Sequence, residues 1–245
     1  MMSQADDSLT QREQGHAAKL GDGHFDRSAN DFARATDETI TAGRWRRGEL
    51  FLDLARREIA AGGRVLDYGC GPGRMALRLA REGYRVDGVD ASANMIEAAQ
   101  LLTTQAPALS FRCLTTQLDG FQPESYDGIV CSSVIEFVAD DEALLKGFHS
   151  WLKPGGTAII SFANRRSLWR FYAKARFGSS MPLYQFQKHV YTASEFKSKA
   201  EASGFRVAEK PKYFDSPFDY RAGFSLLAGL SMVGTLGLVL LKRDR

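Results

Sequence analysis

Two kinds of apolar spacing divide the chain into a helical beginning and an alternating remainder. Between Asp26 and Ala60 the apolar residues recur at roughly helical spacing, which predicts helix. After Ala60, short apolar runs alternate with helical stretches. Ser92 and Thr192 are predicted to cap two of these helices, the second with Glu195 at the spacing of a capping box. The predicted strands are 64–67, 85–90, 109–114, 126–132, 157–163, 205–214 and 235–241.

This alternation indicates an α/β fold in which helices cover both faces of a mostly parallel sheet. Residues 1–23 are polar, and we expect them to be disordered. The remaining residues, 24–245, are expected to form one domain with a helical cap at 24–60. The connection 164–191 is long for a compact domain, which predicts an inserted lid before the last helix.

Composition and charge exclude several classes of protein. The chain has 245 residues, of which 44% are hydrophobic and 25% charged, as in ordinary globular proteins. The net charge of +3 is too small to indicate nucleic-acid binding by itself. The three cysteines contain no C-x-x-C pair and are too few for a disulfide framework. A reducing, cytoplasmic location is therefore the default expectation.

The segment 222–241 contains no charged residue and is followed by Lys242 and Arg243. About 20 apolar residues with a basic flank are long enough to span a membrane. Glycines interrupt the run, however, and 235–241 also suits a buried strand preceded by a short helix. We favour the strand interpretation.

The segment 165–177 carries five basic residues, four aromatic ones and no acidic one. A helix of this composition could lie on an anionic membrane surface or cover an apolar substrate. It could equally be a lid helix with a solvated cationic face. Contact with RNA is a weaker alternative, because the whole chain is nearly neutral.

A glycine-rich turn follows the first predicted strand, in the sequence Asp67-Tyr-Gly-Cys-Gly-Pro-Gly73. Glycines at alternate positions allow a sharp turn and let a ligand approach the main chain. Asp90 ends the next strand, where a carboxylate can accept hydrogen bonds from a ribose diol. The spacing is G-x-G-x-G rather than the G-x-G-x-x-G of dinucleotide sites. Asp67, two residues before the first glycine of the turn, suits a ligand with an ammonium group.

The glycine-rich turn and the segment Val89-Asp90-Ala91-Ser92 resemble those of class I S-adenosylmethionine-dependent methyltransferases. The segments 125–138 and 152–156 resemble the fourth strand of that family and the turn into its fifth. By pattern the small-molecule enzymes, which include the ubiquinone-biosynthesis O-methyltransferases, are nearest. The resemblance implies a Rossmann-like sheet of seven strands, the seventh antiparallel beside the sixth, and S-adenosylmethionine as cofactor.

The resemblance also implies which residues contact the cofactor. Gly69, Gly71 and Gly73 would line its methionine part, and Asp90 would hold the ribose. Asp67 would interact with the ammonium group, and Cys70 belongs to the turn along the methionine part. The other expected cofactor residues are Ala91 and Met95 on the adenine, Thr115 and Thr116 at the adenine edge, Ser132 beside the cleft, and Arg47 on the methionine carboxylate.

Two departures from the family pattern affect catalysis. Leu114 stands where many relatives carry Asp, and Phe137 stands where many carry a histidine at the mouth of the cleft. The candidates for a general base are therefore His189, near the end of the lid, and Glu136, which could instead be a structural hydrogen-bond partner. No cluster suggests a metal site.

Together these observations predict methyl transfer to a small-molecule acceptor, more readily to a hydroxyl than to nitrogen or carbon. The basic aromatic segment favours a lipophilic or aromatic acceptor, or a membrane-associated one. The alternatives are an RNA or protein methyltransferase and a non-catalytic cofactor-binding or membrane-associated adaptor.

Overall fold

A single mixed sheet organises the fold of the described residues. The computed structural model describes residues 42–118, 120–177, 186–214 and 231–244. The strands are β1 Arg64–Tyr68, β2 Arg85–Asp90, β3 Leu109–Cys113, β4 Tyr126–Cys131, β5 Leu152–Ala163, β6 Arg206–Val207, β7 Lys212–Phe214 and β8 Leu236–Lys242. Their order is β3-β2-β1-β4-β5-β8-β6, with β7 also paired to β8.

The helices of the described residues are α1 Ala42–Glu58, α2 Arg74–Arg81, α3 Ala93–Gln100, α4 Asp141–Trp151, α5 Leu168–Phe177 and α6 Ala193–Ala202. Two predicted caps are confirmed. The Ser92 hydroxyl accepts a hydrogen bond from the Met95 amide at the start of α3, and Thr192 forms a capping box with Glu195 at α6. Helix α1 confirms the predicted N-terminal helix over its described part, whereas residues 1–41 lie outside the described ranges.

Alternate residues of the central strands pack into two apolar cores on opposite faces of the sheet. Val65 of β1 lies in one core and Leu66 in the other. The first core is covered by α1 and α2, and the second by α4 and α6. Because successive strand residues point to opposite faces, buried strands of this kind require apolar residues at nearly every position.

The last strands of the sheet confirm that an antiparallel strand is present, and they show that the prediction of the sixth strand was wrong. β8 runs antiparallel to β5, and its residues 236–241 are buried. The segment predicted as one strand over 205–214 is instead two, β6 and β7. Val207 and Lys212 are five positions apart, whereas their β8 partners, Leu241 and Leu238, are three apart. The Ala208 amide still donates to the Leu240 carbonyl, so the two extra residues fall between Ala208 and Lys212. Pro211 lies in this stretch and has no amide proton for the ladder.

The apolar C-terminal segment is therefore a buried strand from Leu236 onward, whereas residues 231–235 form a turn before it. Residues 222–230, where the short helix was predicted, lie outside the described ranges. Within the ranges that the structure describes, no helix is long and apolar enough to cross a membrane.

Candidate active site

The parallel strands β1 and β4 form the place where the strand order reverses, and their carboxyl ends open the candidate site. The glycine-rich turn connects β1 to α2 at this edge. Gly69, Gly71 and Gly73 have φ angles of 74°, 52° and 80°, all in the left-handed region that other residues rarely adopt. The predicted strand-turn-helix arrangement of the motif is thus present.

The turn is closely packed at its first glycine and open at its second. A Cβ atom at Gly69 would lie 2.2 Å from Cγ2 of Val134, so a side chain is excluded there. At Gly71 the nearest atom to a Cβ would be the Met95 sulfur, 4.0 Å away. A ligand can therefore approach the main chain at Gly71, as the motif predicts.

Asp67 is a buried carboxyl with an unsatisfied oxygen. The residue is 1% exposed, and its Oδ2 has no hydrogen-bond partner among the described residues. Burial, together with the nearby charge of Asp90, raises the pKa of Asp67 to about 7, and a backbone hydrogen bond from Ala76 opposes this. A positively charged ligand group at this position would favour the ionised carboxylate.

Asp90 connects β2 to the glycine-rich turn. Its Oδ2 accepts a hydrogen bond from the Gly71 amide at 2.8 Å, and its Oδ1 accepts one from the Ser92 amide at 2.9 Å. Each oxygen of a carboxylate has two lone pairs, so a carboxylate can accept more than two hydrogen bonds. Asp90 therefore holds the turn in shape while its half-buried carboxylate stays at the site.

The other predicted cofactor residues lie around these groups. Met95 is buried at the start of α3, and Ala91 is half-buried beside Asp90. Thr115 and Thr116 are exposed just beyond β3. The Cys70 thiol is buried, which raises its pKa, and points to the Gly71 carbonyl at 3.4 Å. The side chain of Cys70 thus shapes the turn rather than facing the open position at Gly71.

Leu114, the departure from the family pattern, belongs to an apolar core. It is buried among the residues that α4 and α6 cover. Its amide donates to the Asp90 carbonyl at 2.8 Å, which ties the end of β3 to the end of β2. An apolar side chain at this position is therefore explained by packing.

The turn after β4 brings two further predicted residues to the same edge. Ser132 is half-buried at the strand end. The next residue, Ser133, accepts a hydrogen bond from Arg47 Nη1 to its Oγ at 3.1 Å. Arg47 on α1 thus reaches the carboxyl ends of the strands, where the resemblance places it.

Glu136 is the second buried carboxyl of the site. It is 1% exposed, and its Oε2 has no hydrogen-bond partner among the described residues. Burial raises its pKa to about 7, opposed by its own backbone amide and by the charges of Arg47 and Arg170. A carboxyl with this pKa can accept a proton near neutral pH.

The lid lies against the main chain of Glu136. The amides of Lys188 and His189 donate to the Glu136 carbonyl at 2.7 and 3.1 Å. The His189 ring is directed elsewhere, with Nε2 3.1 Å from the Val138 carbonyl and Nδ1 3.8 Å from Asp141 Oδ2. Of the two candidates for a base, Glu136 has an oxygen without a hydrogen-bond partner among the described residues, whereas both ring nitrogens of His189 lie near other oxygens.

Sequence reasoning missed the buried carboxylate of Asp141, which anchors the lid. Asp141 accepts hydrogen bonds from the Tyr191 hydroxyl and, at 2.8 Å, from Lys199 Nζ. These hydrogen bonds hold the pKa of Asp141 below its usual range although burial alone would raise it. An acidic residue in the first turn of a helix is ordinary, so the sequence carried no signal of this network.

The comparisons with known proteins agree with this geometry. The sequence model of the family described as "Methyltransferase domain" matches residues 42–210. The chain belongs to this family, and its sheet has the class I methyltransferase fold.

Individual relatives share about a third of their residues with the chain over the matched region. The chain is similar to the ubiquinone biosynthesis O-methyltransferase of Xanthomonas campestris, with 34% identity over 159 residues. That match covers 64% of this chain and 66% of the relative, so the chain spans about two thirds of the relative's length.

Solved structures show the same fold. One is the methyltransferase in complex with the Haloferax volcanii Trm112 methyltransferase activator (20% identity, 91% of this chain and 98% of that chain, TM-score 0.67). Another is magnesium protoporphyrin IX methyltransferase from Synechocystis with bound SAH (19% identity, 82% and 84%, TM-score 0.63).

Proposed function

We propose that the protein is an S-adenosylmethionine-dependent methyltransferase that transfers a methyl group to a small-molecule acceptor. The observation that carries this proposal is the group formed by Asp67, Gly71 and Asp90. It combines a buried carboxyl with one oxygen that has no hydrogen-bond partner among the described residues, an open main-chain position and a carboxylate at the end of the neighbouring strand.

These residues suit the three parts of the cofactor. Asp67 would attract the ammonium of the methionine part, Asp90 would accept hydrogen bonds from the ribose, and Arg47 would bind the carboxylate. Gly69, Gly73, Cys70, Ala91, Met95, Thr115, Thr116 and Ser132 would complete the site. When bound, the cofactor supplies a methyl group on a positively charged sulfur, so the protein's main task is alignment.

Isothermal titration with S-adenosylhomocysteine (SAH) tests the proposal. We expect saturable binding at one site per chain and no binding of NADH, because the G-x-G-x-G spacing does not fit a dinucleotide. If the wild-type protein does not bind SAH at neutral pH, the proposal is wrong.

For the acceptor we favour a hydroxyl of a lipophilic or aromatic metabolite. Glu136 supports this choice, because a carboxylate with an available oxygen can take the hydroxyl proton as the oxygen forms its bond to the methyl carbon. His189 stays the second candidate for this role. The curated relatives named O-methyltransferases also favour oxygen. Incubating a metabolite extract with methyl-labelled cofactor would identify the acceptor, and label in RNA or protein alone would contradict a small-molecule acceptor.

We also propose peripheral contact with an anionic membrane through α5. Four large apolar side chains on this helix are exposed: Leu168 (58%), Trp169 (36%), Phe171 (74%) and Tyr172 (51%). Arg166, Lys174 and Arg176 are exposed beside them, so the surface combines apolar and cationic groups as interfacial helices do.

Co-sedimentation with vesicles tests this contact. The protein should bind phosphatidylglycerol-containing vesicles, lose binding at high salt and ignore pure phosphatidylcholine. Phe171→Ser should weaken binding, whereas Leu101→Ser, at an equally exposed residue on another helix end, should not. Equal binding by both variants, or no sedimentation of the wild type, would contradict the proposal.

A further inference from the structure

Ser133 has a backbone conformation that a residue with a side chain rarely adopts. Its φ angle is 56°, and among the described residues only Glu124 shares a positive φ without being glycine. Such residues persist where the surroundings hold them, and they concentrate at functional sites. Ser133 directly follows Ser132 at the carboxyl end of β4, so its conformation affects the candidate site.

The first contact that holds Ser133 comes from the neighbouring strand. The Ser133 amide donates to the hydroxyl of Ser161 at 2.8 Å. Ser161 lies in β5 and is fully buried. The hydrogen bond therefore ties the left-handed residue to a rigid part of the sheet.

The second contact comes from α1. Arg47 Nη1 donates to the Ser133 hydroxyl at 3.1 Å, and the guanidinium carbon lies 5.7 Å from the centre of the buried Phe214 ring. A guanidinium is planar, so a hydrogen bond on one side and an aromatic ring nearby restrict its orientation. Ser133 thus limits where the Arg47 guanidinium can point.

The third contact connects Ser133 to the glycine-rich turn. Val134, the next residue, occupies the space that a side chain at Gly69 would need. The conformation of Ser133 therefore sets both the cover over Gly69 and the direction of Arg47.

From these contacts we infer that Ser133 is a positioning residue for the cofactor: its hydroxyl holds the Arg47 guanidinium toward the carboxylate of the methionine part. The inference rests on the proposed function. Binding of a carboxylate by arginine depends on the angle of the planar fork, so loss of the Ser133 hydroxyl should weaken that contact alone.

A pair of ligands isolates the contact. SAH carries the methionine carboxylate, whereas 5′-methylthioadenosine has the same nucleoside and a thioether sulfur but lacks the amino acid. We expect Ser133→Ala to lower the affinity for SAH by about tenfold, which is in the range of one hydrogen bond to a charged group. The affinity for 5′-methylthioadenosine should stay within about twofold of the wild-type value. Calorimetry with both ligands measures the difference.

Two variants guard against a purely structural explanation. Ser133→Gly also removes the hydroxyl but suits a positive φ, so it should keep the thermal stability of the wild type and still weaken SAH. Ser110→Ala removes a hydroxyl of β3 that donates a hydrogen bond to Asp87 of β2, and this variant should bind both ligands normally.

A double variant tests whether Ser133 acts through Arg47. Arg47→Ala should lower the affinity for SAH more than Ser133→Ala does. Adding Ser133→Ala to Arg47→Ala should then cause little further loss of affinity. Equal weakening of both ligands, unchanged SAH affinity in Ser133→Ala, or additive losses in the double variant would overturn the inference. Failure of the wild type to bind either ligand would instead contradict the proposed function.

Discussion

The glycine-rich turn and Asp90, the core of the proposed cofactor side, lie on one continuous stretch of chain, whereas the proposed acceptor side is assembled from distant segments. Residues 67–95 supply the glycine-rich turn, Asp90 and the start of α3, and they bond mainly to one another. The proposed carboxylate contact, at Arg47 and Ser133, and the proposed acceptor side, at Glu136, α5 and the end of segment 164–191, join segments that are far apart in sequence.

This difference has a physical consequence. Hydrogen bonds within a short stretch hold the core of the cofactor side, so a single substitution elsewhere should barely disturb its shape. The proposed Arg47 contact, which comes from another helix, is the exception. The acceptor side depends on contacts between segments far apart in sequence, such as the Lys188 amide on the Glu136 carbonyl. We therefore expect relatives to share the first half and to differ in the second.

The sharpest test of the cofactor side is Asp90→Ala, for which we expect the largest effect. It removes the acceptor of the Gly71 and Ser92 amides as well as the proposed ribose contact. Each charge-assisted hydrogen bond contributes about 1.5–3 kcal/mol, so SAH affinity should fall by about 100-fold or more. Calorimetry measures the loss.

Asp87→Ala is the matched control on the same strand. Asp87 pairs with Arg64 and Ser110, away from the carboxyl ends of the strands, so this variant should bind SAH like the wild type. If both aspartate variants lose affinity equally, β2 has been disturbed generally and the ribose contact is not supported.

On the acceptor side, Glu136→Gln should slow methyl transfer by about 100-fold, the usual contribution of a general base. Because the carboxylate must be ionised, the wild-type rate should rise with pH through about 7 and fall about tenfold per unit below it. The variant should lose this dependence and still bind SAH.

The control for Glu136 is Glu142→Gln, at an exposed residue of α4 that pairs with Lys146. Rates of labelled-methyl transfer to the acceptor from the extract screen compare the two. A Glu136→Gln enzyme with the wild-type pH profile would show that the proton goes elsewhere, and His189→Gln would then be the variant to measure.

The same contrast explains what the sequence could predict. Asp67, Gly71, Asp90 and the Ser92 cap were visible because neighbouring residues determine their geometry. The lid anchor at Asp141 was not, because its partner Lys199 is 58 residues away.

The split sixth strand is an intermediate case. Pro211 was visible in the sequence and is a known strand breaker, but the apolar residues on both sides of it outweighed that signal. Antiparallel β8 was predictable only through the family resemblance, because local pattern does not specify strand order.

Asp67 offers a test in which stability and binding change in opposite directions. The pKa of Asp67 is higher in the folded protein than in the unfolded chain, where it is near 3.8. Between these values the folded protein keeps a proton that the unfolded chain has lost, so stability falls as pH rises from about 4 to 7. Asp67→Asn removes this penalty and should stabilise the ligand-free protein at pH 8, by an amount of the order of 2 kcal/mol.

Binding should show the reverse. The cofactor ammonium favours the ionised carboxylate, so wild-type SAH affinity should increase between pH 6 and 8, and Asp67→Asn should bind weakly with little pH dependence. Thermal unfolding and calorimetry at both pH values give the two quantities. An Asp67→Asn protein that is both less stable and unchanged in SAH affinity would show that the carboxyl serves the fold alone.

The smallest effect on stability and on SAH affinity is expected on the exposed face of α5, because we expect this face to be independent of the cofactor side. Phe171 is 74% exposed, so Phe171→Ser should change the free energy of unfolding by less than about 0.5 kcal/mol and leave SAH affinity unchanged. Phe162→Ala in the buried part of β5 should cost about 3–5 kcal/mol by contrast. Denaturant unfolding of both variants measures this difference. A large loss in Phe171→Ser would mean that this face packs against another part of the protein in solution, and the two halves of the site would then be less separate than their hydrogen bonds indicate.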